Sequence, residues 1–255
     1  MHTLIYDGSF EGFLCAVFDV YEYKYTDADI CTEKHFKGNI FQPVHTVHTT
    51  KERSDRVWKG LQKKLSDEAV QELYKTFLSE EEGIENTILS YIRYVFASTQ
   101  SIESDYSHPA VLEVTQTARK VWREKHRMEA FVRFQKTSDG LYYALIEPDY
   151  NVLPLIAPHF ERRYADQRWL IYDACRRYGI YYDGETSSEV ELSFSEGANG
   201  GKDIHRHYDE GEAIYQQLWQ QYFKSVNIAA RKNTRLHVQH MPRRYWKYLP
   251  EKRSI

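Results

Sequence analysis

Two groups of basic residues carry the most suggestive chemistry in this chain. Residues 231–255 hold eight Lys and Arg against one Asp or Glu. Within them Arg231, Lys232, Arg235, Arg243, Arg244 and Lys247 accompany the aromatic pair Tyr245 and Trp246. Arginine forks match phosphate oxygens two at a time, and a base stacked on an aromatic ring contributes about 1–3 kcal/mol. This pattern is expected to hold nucleic acid; the alternative is a solvated tail that Trp246 and Tyr248 pin to the body. The second group is Arg162, Arg163, Arg168, Arg176 and Arg177. If a sheet gathers these five, they form one face for a nucleic-acid backbone. Pairing with Glu161, Asp166, Asp173 and Asp183 would instead neutralise them.

The whole chain has a net charge of −3, with residues 1–230 net acidic. That balance excludes a general polyanion coat but not a local footprint, because screening confines each charge to about 8–10 Å. Among acid–base residues, Glu147 and Asp149 sit at the end of an expected strand, with His159 one helical turn beyond the next loop. A carboxylate and a histidine so placed are candidates for proton transfer; such residues also form turns through their own side chains. His45 and His48 are three apart and fall on opposite faces of a strand, while His205 and His207 can share one. Neither pair has a third ligand beside it, so no metal site and no cofactor is expected. The 197–201 stretch is rich in glycine but lacks the Lys-Ser/Thr of a phosphate-binding loop, and no Gly-x-Ser-x-Gly elbow occurs.

Cys15, Cys31 and Cys175 are odd in number and far apart, which excludes a disulfide framework and suits reduced, mostly buried thiols in a cytoplasmic protein. No 18-residue apolar run occurs, so no membrane partner is expected, and the N-terminus lacks the pattern of a secretory signal. Hydrophobic residues at 42% and charged residues at 28% argue against disorder, and 255 residues suffice for a sizeable core.

The elements that must position these residues are legible in outline. Strands are expected at 3–6 and 44–49, too short to stand alone and so joining a larger sheet. Ser9 is a natural cap for a helix to about residue 21, whose apolar residues recur at three and four. Further helices are expected at 51–65, 67–79, 83–98 and 109–127, with 24–42 irregular. Strands at 130–135 and 141–147 flank an Asp-Gly turn. A helix at 158–165, strands at 168–174, 178–183 and 189–194, and a long helix at 208–226 follow. Strands that cluster instead of alternating with helices define an α+β fold. Its helix-rich N-terminal half packs on a small, mostly antiparallel sheet with flanking helices. The expected organisation is a single unit over 1–255 with a soft seam near 128.

Four segments carry a family likeness. They are Leu4-Ile5-Tyr6-Asp7-Gly8-Ser9-Phe10-Glu11-Gly12-Phe13-Leu14, the stretch from Glu147-Pro148-Asp149-Tyr150-Asn151 through His159-Phe160, Arg163-Tyr164-Ala165-Asp166-Gln167, and Met241-Pro242-Arg243-Arg244-Tyr245-Trp246-Lys247-Tyr248-Leu249-Pro250-Glu251. Together they resemble the DUF4130 family, a bacterial family tied to DNA metabolism. The resemblance implies an accessory of DNA repair or modification whose partners are single-stranded or damaged DNA and a separate radical SAM enzyme. Related chains are fused to a uracil-DNA glycosylase domain, which is not expected in the sequence as it stands. Three scattered cysteines cannot hold a radical SAM cluster, so an accessory is favoured over an enzyme. Two alternatives stand beside this reading: an enzyme acting on a nucleic-acid base or backbone by acid–base chemistry, and a protein–protein adaptor without DNA affinity.

Overall fold

The first strand, β1 (His2–Tyr6), is joined by α1 (Phe10–Glu22) to β2 (Ala28–Thr32). Because a helix carries the chain back between them, the two strands run parallel, in register from His2↔Ala28 to Tyr6↔Thr32. β3 (Val44–Thr46) pairs with the other edge of β1, also parallel, giving the order β2-β1-β3. This is a computed structural model, and it describes residues 2–36, 38, 43–138, 140–191 and 241–252. The 208–226 helix, the 197–201 loop, Arg231, Lys232, Arg235, His205 and His207 lie outside the described residues.

The short strands at the N-terminus therefore do not join the larger sheet, as the sequence led us to expect; they form one of their own. The partner that completes it, β2, lies in the stretch read as irregular. Its sequence, Ala-Asp-Ile-Cys-Thr, buries only Ile30 fully, so it carries too little apolar periodicity to be seen alone. α2 (Lys51–Gln62), α3 (Asp67–Phe77) and α4 (Ile84–Ala97) follow as expected, somewhat shorter at their ends. Ser9 and Ser66 cap α1 and α3 by accepting from Gly12 N at 2.9 Å and Ala69 N at 3.2 Å. Leu4, Phe13, Ile30, Leu61, Leu73, Ile88 and Ile92 form the centre of this core.

α5 (Pro109–Phe131) begins on its proline but runs four residues past the expected end. The strand expected at 130–135 is thus replaced by the last helical turn and a two-residue β4 (Gln135–Lys136). Val132 N–H still donates to Met128 O, and both side chains are buried, so core contact extends the helix. Beyond β4 lie β5 (Tyr142–Ile146), α6 (Leu153–Arg163), β6 (Trp169–Asp173), β7 (Tyr178–Tyr182) and β8 (Ser187–Val190). α6 starts five residues before the position expected from Pro158, which sits inside it. Burial of Leu153, Ile156, Ala157 and Phe160 on one face outweighs the backbone bond that the proline forgoes.

The second sheet has the order β4-β5-β6-β7-β8, and every pairing except β5–β6 is antiparallel. Its central strand β6 is buried at all five residues. The architecture is α+β. The chain divides into two compact units, unit 1 (Met1–Trp122) and unit 2 (Arg123–Ile255), with α5 running through the division. Among the described residues no helix is long and apolar enough to cross a membrane.

Gly179 on β7 shows how closely unit 2 is packed. A Cβ there would stand 2.9 Å from Ile171 O and 3.0 Å from Leu170 Cδ1. Gly179→Ala is expected to destabilise the protein by about 1–3 kcal/mol in urea unfolding, through strain and not loss of burial.

Candidate functional site

The parallel pairing of β5 and β6 sets the geometry of unit 2. Their last residues, Ile146 and Asp173, are register partners, and Ala174 N–H donates to Ile146 O at 3.0 Å. The Glu147-Pro148-Asp149 turn and the 174–177 hairpin loop therefore emerge side by side at the carboxyl ends of the two strands. Arg177 closes the hairpin in left-handed backbone (φ 61°), its N–H on Asp173 O at 2.8 Å. The 3-10 segment Arg243–Tyr248 packs beside β5. Glu147, Pro148, Asp149, Cys175, Arg176, Arg243, Arg244 and Lys247 line a cavity of about 570 Å³ there. The cleft lies at the carboxyl end of the one parallel pair of this sheet.

Glu124 on α5 anchors the cleft. Its side chain is 1% exposed, and both carboxylate oxygens are hydrogen-bonded. Oε1 accepts from Tyr245 OH and from Asp149 N at 3.1 Å, and Oε2 from Arg244 Nη2 at 3.0 Å and Arg127 Nη1 at 3.4 Å. Arg244 reaches further, to Asp149 Oδ2 at 2.6 Å, and lies 4.5 Å over the Tyr245 ring. Arg176 Nη1 pairs with the fully buried Asp173 at 3.0 Å and donates to Pro148 O at 3.2 Å. Burial pushes the Asp173 carboxyl up, against the pull of Arg176 and the N–H groups of Cys175 and Arg176. Lys247 Nζ is bonded to Glu147 Oε2. Burial opposes ionisation of Glu147, but hydrogen bonds from Lys247 and Tyr248 outweigh it and hold the carboxyl below its ordinary range.

These contacts sort the basic residues. Arg176, Arg243, Arg244 and Lys247 meet at one cleft, against the two carboxylates of Glu147 and Asp149. Arg243 is exposed, lies 5.8 Å over Trp246, and has no acidic partner among the described residues. The central arginines do not gather on one face. α6 carries the chain from the carboxyl end of β5 to the amino end of β6, so Arg162, Arg163 and Arg168 stand at the opposite end from Arg176 and Arg177. Glu161 confirms the placement: it bonds Ser187, which is in register with Tyr182 and so with Trp169 at the start of β6. Five strand residues at about 3.3 Å each separate the two ends.

The aromatic pair of the basic segment also departs from the expected role. Tyr245 is 2% exposed, packed 5.9 Å from Phe131, and offers no open face to a base. Trp246 is half-buried, donates Nε1–H to Met241 O at 3.0 Å, and has Lys252 Nζ 5.1 Å over its ring. The Tyr245 ring seats the segment on Phe131, while Trp246 meets Met241, Arg243 and Lys252 of the segment itself. Nor are the acid–base candidates assembled: His159 Nδ1 faces Glu129 Oε1 at 3.8 Å, while Glu147 and Asp149 are engaged by Lys247 and Arg244. Cys175 is exposed, contrary to the reading of mostly buried thiols, and desolvation with the charges of Asp173 and Glu147 pushes its thiol up. Among the described residues no group of three His, Cys, Asp or Glu side chains converges to hold a metal. The residue that sequence reasoning missed is Glu124. Its only signal is a carboxylate amid the apolar spacing of α5, where Val121 and Met128 are buried.

A family model for a domain of unknown function, DUF4130, matches residues 82–251. The chain belongs to the DUF4130 family. The match takes in α4, α5 and every residue of the cleft; the segment at 4–14 that resembles the family's opening lies outside it. No curated protein matches the chain. Among solved structures, a pGpG-specific phosphodiesterase, PggH of Vibrio cholerae, aligns over 89% of this DUF4130 protein and 99% of its own length, at 11% identity and a TM-score of 0.32.

Two outcomes test the cleft. Glu124→Gln removes the charge that Arg244 and Arg127 share and is expected to cost about 2 kcal/mol. Hydrogen exchange should speed at the amides of Tyr245 and Leu249, which donate to Pro242 O and Trp246 O. The Glu147 contact has a defined pH dependence. Its folded pKa lies below the unfolded value of about 4.3, so its stabilisation is full above that pH and is lost as pH falls through the folded value. The stability gap between wild type and Glu147→Gln, followed by urea unfolding from pH 7 to pH 2, should therefore close only below the ordinary glutamate range.

Proposed function

We propose that this DUF4130 protein is a nucleic-acid-binding accessory of DNA repair or modification that holds the phosphate backbone of single-stranded or damaged DNA at the unit 2 cleft. The observation that carries the reading is the meeting of Arg176 with Arg243, Arg244 and Lys247, residues remote in sequence, around one cavity. Arg243 is the group best placed to engage phosphate first, since its charge meets no acidic side chain among the described residues. Arg244 is oriented by Glu124 and can exchange its exposed partner Asp149 for a phosphate oxygen of similar geometry.

The same contacts favour an accessory over an enzyme. A carboxyl held ionised by Lys247 and a thiol pushed away from thiolate supply neither a poised acid nor a nucleophile, and His159 faces Glu129 at 3.8 Å, not Glu147 or Asp149. In this reading the chemistry belongs to a separate radical SAM enzyme, a partner taken from the family resemblance.

Binding of a fluorescent single-stranded oligonucleotide against salt tests the proposal. Each phosphate contact contributes about 0.7 to the slope of log affinity on log salt. Arg243→Gln with Lys247→Gln should flatten the slope by about 1.4 and spare the Glu124 anchor. Absence of binding at low salt would sink the reading, and co-purification with a partner enzyme in that case would favour the adaptor.

A further inference from the structure

Unit 1 carries a second set of aromatic rings that the cleft does not use. α1 ends at Glu22, and the chain reverses through Lys24 in left-handed backbone (φ 56°), a conformation that glycine adopts at less cost. Tyr23 N–H donates to Asp19 O and Tyr25 N–H to Val20 O, each at 2.9 Å. This reversal sets Tyr23 and Tyr25 against one another, ring centroids 5.6 Å apart and planes 29° off parallel. His2, at the amino end of β1, stacks on Tyr25 at 4.2 Å and 17°. His45 of β3 meets both tyrosines edge-on, at 5.2 Å and 6.2 Å.

The rings are held from outside the stack. Asp19 is 2% exposed; its Oδ2 lies 2.8 Å from His45 Nε2 and its Oδ1 accepts from Arg53 Nη1 at 3.1 Å. Arg93 Nη2 donates to Tyr25 O at 2.8 Å. A buried charge thus fixes the ring that braces the ladder. At its outer end Tyr23 remains 51% exposed, and Lys24 beside it is exposed with no acidic partner among the described residues. A ring set in place before binding forfeits little freedom when a second flat ring joins it.

We propose that the His2–Tyr25–Tyr23 ladder is a stacking platform for unpaired bases of single-stranded nucleic acid, with Lys24 taking a backbone phosphate. The proposal rests on the nucleic-acid reading given above and adds a second contact point, one that reads exposed bases and not charge. Stacked rings accept any base face, so the platform is indifferent to sequence but excludes duplex, whose base faces are covered.

The test uses the full chain and two labelled 12-mers, oligo(dT) and an abasic chain with the same phosphates. Wild type should prefer the base-bearing chain by about tenfold, within the range that loss of one stacked base produces. Tyr23→Ala should abolish the preference without changing the salt slope, and Tyr23→Phe, which keeps the ring, should retain it. Because Tyr23 is half exposed, an unchanged melting temperature serves as the folding control. Preference undiminished in Tyr23→Ala overturns the platform and leaves the cleft standing. Salt-dependent binding absent for both 12-mers overturns the cleft reading and the platform together.

Discussion

The Glu124 carboxylate is the constraint on which the unit 2 cleft depends. A charge taken almost wholly from water costs several kcal/mol unless it is paired and hydrogen-bonded. Here the penalty is met by Tyr245, Arg244, Arg127 and the Asp149 backbone together, so none of the four can leave cheaply. Two of them belong to the basic segment and one to the turn after β5. The requirement to satisfy one buried anion therefore fixes the 243–248 segment against the carboxyl end of the parallel strands, with Arg243 exposed at the cleft.

A second constraint is topological. Parallel strands need a crossover, and the crossover helix must travel back along the strands it joins. α6 does so between β5 and β6, and this alone separates Arg162, Arg163 and Arg168 from Arg176 and Arg177. Arg162 and Arg163 gain a local partner in the carbonyl end of their own helix, where positive charge is favoured. With a screening length of about 8 Å at physiological salt, charges at opposite ends of a strand act as separate patches. The charge that the sequence counts as one cluster is thus divided between the two ends of β6, with Arg176 alone of the five lining the cleft.

Local rules made much of the fold legible. Ser9 and Ser66 announce their helices because a hydroxyl before a helical run satisfies backbone N–H groups that nothing else reaches. The apolar spacing of Phe13, Leu14 and Val17 requires one buried helical face. The elements that escaped this reading are those whose reason is not local. β2 exists because Ile30 finds Leu4 beside it, and the first turns of α6 exist because Leu153 and Ile156 are buried, with Pro158 tolerated. Likewise, Tyr245 and Trp246 read as a stacking pair because type and spacing permit it. The burial of Tyr245 follows from Glu124 and Phe131, which are more than a hundred residues away.

By itself, then, the amino-acid order determined composition-level exclusions, most helices, the α+β class and the accumulation of positive charge near the end of the chain. These depend on contacts within a few residues, or on counts, which need no fold. Which cations share a cleft, which ring is covered and which carboxylate is held ionised were decided only in three dimensions. Electrostatic and desolvation energies vary with distance and burial, and residues such as Glu124 and Arg244 acquire both only once the chain has closed upon itself.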